Sequence, residues 1–393
     1  MIDTIVKKVI KTWGNYAPEG RDMLSLEERR ARPHNNNGGL TLIPMPGFEE
    51  IAKQLKGLIE KKGLRKTADY PEGRITPVDI AIPVFGTYVN GEPQVGLGKK
   101  HVGGHDCYVI TSGPGTCEML TRLLFLIGCL KGRRARRITI MTGYFPLGRS
   151  DKIIRKTNEF PMPPIFVRAL KAVGRSTLDR IVCVDPHCEQ ISGFGPPGFI
   201  SPVEMTYQLL SRMIDDALKI QDRICVAFPD GTARKRFKET LRAVRKEHPH
   251  ISIPVVTVDA EREDDTEKKI EGVTGSILAL KDAIVLAPDD ETATGGTQIN
   301  AAELYIKDLG AKEVWAGVTH AVMCGNAAEK FAKPNCAISR LYVTDTIPIL
   351  NRPDLTSLIE SKRLHLISWM EEFALIIFYA HWDDDIYDIR GAH

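Results

Sequence analysis

Two carboxylates, Asp289 and Asp290, stand side by side at the end of the apolar run Ile-Val-Leu-Ala-Pro. The small-residue segment Thr-Ala-Thr-Gly-Gly-Thr follows at residues 292–297, ahead of the helical pattern Gln-Ile-Asn-Ala-Ala-Glu-Leu-Tyr. A small-residue turn at a helix N-terminus presents backbone N–H groups and the positive end of the helix dipole, which together suit a phosphate. Gly295 and Gly296 let the backbone approach an oxyanion closely. The Thr294 and Thr297 hydroxyls add donors. The same turn could be a tight strand-to-helix connection with no ligand. The acid pair weighs against that, because adjacent carboxylates repel each other and serve little structural purpose. They become useful where vicinal sugar hydroxyls or a magnesium ion must be held beside the phosphate.

Short runs rich in Val and Ile alternate with helical patterns along most of the chain. The strand candidates include Val-Asp-Ile-Ala-Ile-Pro-Val-Phe from residue 78, Asp-Cys-Tyr-Val-Ile-Thr from 106, Arg-Ile-Thr-Ile-Met-Thr from 137 and Arg-Ile-Val-Cys-Val-Asp from 180. Further candidates begin near residues 223, 253, 282, 313 and 340. Helical spacing is clear over residues 48–62, 117–132 and 300–310. This alternation predicts an α/β fold with mainly parallel sheets, since strands buried on both faces read as continuous apolar runs. The strands are too many for one compact sheet. The expected organisation is an N-terminal extension over residues 1–47, opening with a short amphipathic helix, then a domain over 48–198 completed by 350–393, and a second α/β domain over 199–349. In open α/β sheets ligands bind beyond the carboxyl ends of strands. The polar clusters at 143–152, 185–190, 228–236, 259–264 and 288–297 all follow strand candidates.

Composition excludes little but directs attention inward. The 393 residues carry 53 Lys plus Arg against 50 Asp plus Glu, a net charge of +3. That balance gives no case for nucleic acid or for an anionic membrane surface. The basic run at 131–137 reads as a solvated helix end. No apolar run reaches membrane-spanning length, and the N-terminus lacks a signal-peptide core. Eight cysteines are scattered without a Cys-x-x-Cys pair. Cys183 and Cys188 flank His187, but the spacing does not suit a zinc site, so reduced thiols in a cytoplasmic protein are expected.

Several motifs carry a resemblance. Residues 182–194 are similar to the Asp-Leu-His-x-x-Gln-Ile-Gln-Gly-Phe signature of ribose-phosphate diphosphokinases, matching it at Asp185, His187, Gln190, Ile191, Gly193 and Phe194. Residues 142–152 resemble that family's Tyr-Phe-x-x-x-Arg-x-Asp segment through Tyr144, Phe145, Arg149 and Asp151. The segment Phe-Pro-Asp-Gly-Thr-Ala-Arg-Lys-Arg-Phe from residue 228 resembles its Pro-Asp-x-Gly segment. The resemblance spans about residues 48–367 and implies two phosphoribosyltransferase-like domains with the site between them. It implies Mg²⁺-dependent transfer of diphosphate from ATP to the C1 hydroxyl of ribose 5-phosphate. His187 and Asp230 match metal-contacting positions, His187 also lies at the catalytic centre, and Arg149 and Asp151 contact ATP. Asp289, Asp290 and residues 294–297 would hold the ribose phosphate. The family's Phe-x-Asp-Gly-Glu turn, which reaches a neighbouring subunit's adenine pocket, corresponds to Tyr88, Val89, Asn90, Gly91 and Glu92. Tyr88, Asn90 and Glu92 are the ATP contacts implied there, and the chain would be a homo-oligomer, from dimer to hexamer. Read without the resemblance, Asn90-Gly91 is a plain type I′ hairpin turn.

Two positions depart from the family pattern. Its catalytic loop begins Asp-Lys-x-Arg, and here Asp259 and Arg262 match while Ala260 stands at the lysine. Arg262, Lys268 or Lys269 could substitute for that charge. The phosphate loop usually reads Asp-Asp-x-x-Asp-Thr-x-Gly-Thr, and Ala293 stands at its third acid. That change leaves ADP-ribose as an alternative acceptor for the same chemistry. Ala260 leaves a non-catalytic regulatory homologue as an alternative of a different class.

Overall fold

The computed structural model describes residues 37–67, 70, 73–98, 101–151, 153, 158–229, 231–262, 268–349 and 352–386, without the side chains of Glu189, Thr232, 259–262 and 268–271. The expected N-terminal helix and the last seven residues of the chain lie outside that description, as does Asp230.

The first half runs β1 (Leu40–Pro44), α1 (Glu49–Gly63), β2 (Val78–Ile80), β3 (Pro83–Thr87), β4 (Pro93–Leu97), β5 (Asp106–Thr111), α2 (Cys117–Gly132), β6 (Arg137–Thr142), α3 (Pro163–Gly174), β7 (Leu178–Val184) and β8 (Ile200–Val203). The second half runs α4 (Thr206–Leu218), β9 (Ile224–Phe228), α5 (Gly231–Arg236), α6 (Lys238–Glu247), β10 (Val255–Arg262), β11 (Lys268–Thr274), β12 (Ile284–Thr292), α7 (Gly296–Lys307), β13 (Glu313–Ala321), α8 (Ala327–Ala332), β14 (Ile338–Thr344), α9 (Thr356–Glu360), β15 (Leu364–Ile367) and α10 (Met370–His381).

Among the described residues the long strands form two sheets. The first, in the order β2-β1-β5-β6-β7-β8, is parallel throughout. The second, β11-β10-β9-β12-β13-β14-β15, is parallel except for the β10–β11 pair. β5 and β6 are buried along their whole length, including the polar residues Asp106, Thr111, Arg137, Thr139 and Thr142. Helix α2 starts where Thr116 caps the Met119 N–H at 3.2 Å. Helix α10 packs Phe373 and Ile377 into the first core beside Leu55 and Ile59 of α1. In the second half, Leu209 and Met213 of α4 cover one sheet face, and Tyr305 and Phe331 cover the other.

The fold is the expected α/β architecture with mainly parallel sheets. The sheets nevertheless divide the chain at other points than expected. β1 lies inside the stretch read as an extension, yet all five of its residues are buried and it pairs with β2 and β5. β8 belongs to the first sheet and β15 to the second, so the chain crosses between halves after residues 203 and 367. Backbone contact between the halves is close. A Cβ on Gly143, just after β6, would sit 2.0 Å from the Thr346 carbonyl oxygen.

Candidate active site

β12 continues through the acid pair. Asp289 lies opposite Val318 of β13, and Glu291 opposite His320. The chain then turns at Gly295, whose φ of 73° is left-handed, into α7. Glycine is needed twice over there, because a Cβ would also meet the Phe331 ring at 2.5 Å. The first N–H groups of α7 have no partner within the helix by its geometry, so they face a ligand that approaches the turn. Gln298, in the first turn, ties helix to strand. Its Nε2 donates to Asp289 Oδ2 at 3.2 Å and to the Glu291 carbonyl at 3.0 Å, while its Oε1 accepts from Thr292 Oγ1 at 3.3 Å.

The opposite wall comes from the first sheet. Just past β7, Asp185 takes a positive φ of 34° and accepts from the Met205 N–H and from Thr319 Oγ1 at 2.8 Å. Burial raises its carboxyl to about 7, despite those hydrogen bonds. Its backbone oxygen meets His320 Nε2 at 3.1 Å, so this motif aspartate joins the two halves. His187 follows, with Nδ1 2.6 Å from Asp290 Oδ2. That hydrogen bond raises the imidazole above its ordinary value. Arg236, at the end of α5, places Nη1 2.6 Å from the same oxygen and donates Nη2 to the His187 carbonyl at 2.9 Å.

The acid pair is split by these neighbours. Burial alone would raise Asp290, but the His187 hydrogen bond and the Arg236 guanidinium hold it below the usual carboxylate range. Burial and the charge of Asp290 push Asp289 up to about 7. Beside them, Glu291 accepts from the Tyr144 hydroxyl at 2.9 Å, and Arg149 Nε lies 2.7 Å from its other oxygen.

His187, Arg236 and the acid pair line a cavity of about 590 Å³. It gathers Arg149, Asp151 and His187 from one half, and Asp289, Asp290 and residues 294–297 from the other. Tyr88, Asn90 and Glu92 are not among its walls. They sit on the exposed turn of the β3–β4 hairpin, where Tyr88 is 54% and Val89 fully exposed. That turn is not type I′. Only Gly91 has a positive φ, and its N–H donates to the Tyr88 carbonyl at 2.8 Å, so an ordinary turn ends in a left-handed glycine. The expected catalytic loop also begins differently. β10 runs through Arg262 against β11, with a register shift between Asp259 and Ala260. The side chains of Ala260 and Arg262 lie outside the described residues.

Arg236, Lys235, Glu291 and Gln298 also line the cavity, and sequence reasoning gave none of them a role. The signal for the two basic residues was their place just after β9. A donor set for a cation is present as well. One atom each from His187, Asp290 and Glu291 lies within 4.8 Å of the others.

Comparisons with known proteins bear on the family and the fold. A family model for the N-terminal domain of ribose phosphate pyrophosphokinase matches residues 50–187. The ribose-phosphate pyrophosphokinase of Haemophilus ducreyi is 32% identical over 303 residues, 75% of this chain and 87% of that one. The enzyme of that name from Campylobacter jejuni is 34% identical over 271 residues, 67% of this chain and 78% of the other. Among solved structures, phosphoribosylpyrophosphate synthetase from Mycobacterium smegmatis superposes with a TM-score of 0.68 at 24% identity, covering 88% of this chain and 99% of that one, a likeness of fold. With the H. ducreyi sequence matched across 87% of its length and the strand-end motifs gathered on one cavity, the chain belongs to the ribose-phosphate pyrophosphokinase family.

Proposed function

We propose that this chain transfers the β,γ-diphosphate of ATP to the C1 hydroxyl of ribose 5-phosphate, giving phosphoribosyl pyrophosphate and AMP. The observation that carries the reading is the shared cavity, in which an acid pair and a glycine turn face an imidazole and several cations. The turn at 294–297 cradles the 5-phosphate, and Asp289 and Asp290 take the sugar hydroxyls. Arg149, Lys235 and Arg236 face the triphosphate, where forked guanidinium pairing suits phosphate oxygens. The C1 hydroxyl oxygen attacks the β-phosphorus and gives up its proton to solvent, the bond from that phosphorus to the α,β-bridging oxygen breaks, and AMP leaves with the electron pair. The residues contribute by bringing like-charged reactants into line.

The family implies Mg²⁺, and the imidazole and carboxylates of His187, Asp290 and Glu291 fit a divalent cation. Such an ion, when bound, neutralises phosphate charge. The exposed hairpin turn at Tyr88 supports a homo-oligomer in which this turn completes a neighbour's nucleotide site.

Two departures favour other readings of the same site. Ala293 removes a charge beside the phosphate turn and favours ADP-ribose as acceptor. Ala260 removes a cation where diphosphoryl charge builds up and favours a regulatory homologue. The test is AMP release from Mg-ATP with ribose 5-phosphate, and separately with ADP-ribose. Release that depends on ribose 5-phosphate is expected. Release with ADP-ribose alone reassigns the acceptor. No release with either, from a folded chain that binds ATP, overturns the enzyme reading.

A further inference from the structure

Of the three residues that could hold a cation, Glu291 is the one to which the family resemblance gives no role. It stands at an unspecified position of the family's Asp-Asp-x-x-Asp pattern. Its side chain is 4% exposed, yet it lines the cavity. The Tyr144 hydroxyl fixes Oε2 at 2.9 Å. Oε1 is buried and accepts no directed hydrogen bond among the described residues; Arg149 Nε lies 2.7 Å from it as an ion pair. This is the arrangement of a ligating carboxylate, with one oxygen held by an outer partner and the other aimed at a cation.

The neighbours complete the set. His187, Asp290 and Glu291 offer atoms within 4.8 Å of one another, a span that a cation with ligand distances of about 2.0–2.6 Å can bridge. Each carboxylate already holds one guanidinium: Arg149 on Glu291 and Arg236 on Asp290. Two unit charges therefore stand where one divalent ion would stand, and both arginines line the same cavity.

We infer that Glu291 joins His187 and Asp290 as a ligand of the divalent cation, and that the ion displaces Arg149 and Arg236, freeing both guanidiniums for phosphate. The exchange conserves charge at the carboxylates. It also couples metal entry to the binding of an anionic substrate, because the cations that clamp phosphate are released by the metal. This inference deepens the proposed function and rests on its metal role for His187, but its test needs no turnover.

Mn²⁺ alone is the probe, titrated into the full chain and followed by the electron paramagnetic resonance signal of the free ion. Glu291→Gln is expected to weaken Mn²⁺ binding about tenfold or more. Arg149→Gln is expected to strengthen it about fivefold, because a competing cation is gone. Opposite shifts in these two variants support the exchange. Parent affinity in a folded Glu291→Gln, or no gain in Arg149→Gln, overturns it. If circular dichroism shows Glu291→Gln unfolded, Arg149→Gln decides alone by the same criterion. AMP release by the parent together with unaltered Mn²⁺ binding by Glu291→Gln would remove Glu291 from the site and leave the diphosphokinase reading standing.

Discussion

The molecule contains the same trio of side chains twice. At the amino ends of β5 and β6, Asp106 meets Arg137 and His381. At the carboxyl ends of β7 and β12, Asp290 meets His187 and Arg236. In the first trio Arg137 bridges both oxygens of Asp106, at 2.8 and 2.5 Å, and His381 Nδ1 lies 2.9 Å from the carboxylate. The Tyr108 hydroxyl also donates to it, and Arg137 reaches the Ala380 carbonyl and Asp383. No member is more than 8% exposed. In the second trio His187 is 27% and Arg236 24% exposed, and the partners share one oxygen of Asp290 beside an open cavity. The first is a lock that fastens α10 to the first sheet. The second is a site whose partners can be exchanged. Saturation and burial separate the two, since the residue types do not.

The widest separation between the trios should appear in stability. Asp106→Ala leaves the Arg137 charge buried without its main partner, which costs about 3–5 kcal/mol. Urea denaturation should show that loss, while ATP affinity of the folded fraction is unchanged. Asp290→Asn should do the reverse. Solvent reaches His187 and Arg236, so stability falls by no more than about 1 kcal/mol, while AMP release falls about 10²-fold, or roughly 2.7 kcal/mol of barrier. If Asp290→Asn destabilises the chain as much as Asp106→Ala, the distinction between lock and site is wrong.

Their pH responses should also diverge. Burial would raise Asp106, but Arg137 and His381 hold it well below the carboxylate range. Its stabilisation is therefore complete above about pH 4, the unfolded value, and is lost only as pH falls through the lower folded value. Asp289, beside the second trio, is shifted the other way, to about 7. The folded chain keeps a proton that the unfolded chain releases near pH 4, so stability falls as pH rises from about 4 to 7. Asp289→Asn should remove that fall, and the variant should be more stable than the parent at pH 8 by about 1 kcal/mol. Its acceptor affinity should drop. Denaturation curves at pH 5 and pH 8 decide the matter, and parallel curves for parent and variant would show that Asp289 does not titrate there.

What could be read from the sequence follows from burial in the same way. Each expected strand run is a strand or, from residue 78, two; all but that run are central in their sheets, where burial on both faces favours apolar residues. The strands that escaped notice are mostly edges or hairpin arms. β11 reads Lys-Lys-Ile-Glu-Gly-Val-Thr, β8 contains Pro202, β15 is four residues long, and β4 belongs to the exposed hairpin. β1 is not an edge; its five buried residues follow directly on an Asn/Gly-rich stretch, which obscures the strand. At the site, residues 289–297 were legible because acid pair, turn and helix are contiguous. Arg236 was not, because a basic residue after a strand looks solvated until the fold sets it 2.6 Å from Asp290. Glu291 and Gln298 were hidden for a related reason. Their partners, Tyr144 and Asp289, become visible only when strand ends from two sheets, or a helix and the strand before it, are placed together.

The smallest effect on stability belongs to the part of the site furthest from either trio's character, the exposed residue Thr297. Thr297→Val keeps the shape and removes one donor from the turn. Thr297 is exposed where it lines the cavity, so stability should change by no more than about 0.5 kcal/mol. The backbone N–H groups of the turn are untouched, and most of a phosphate's contacts there come from them and from the helix dipole. The hydroxyl adds a single hydrogen bond to a charged acceptor, worth about 1.5 kcal/mol, so affinity for ribose 5-phosphate should weaken about tenfold. ATP affinity should hold, since the proposed place of the triphosphate is beside Arg149 and Arg236. Calorimetry with each ligand separates the two. Equal losses for both would mean that the turn does not distinguish acceptor from nucleotide. No loss for ribose 5-phosphate would leave the backbone alone as the cradle and return Thr297 to the role of a helix-start residue.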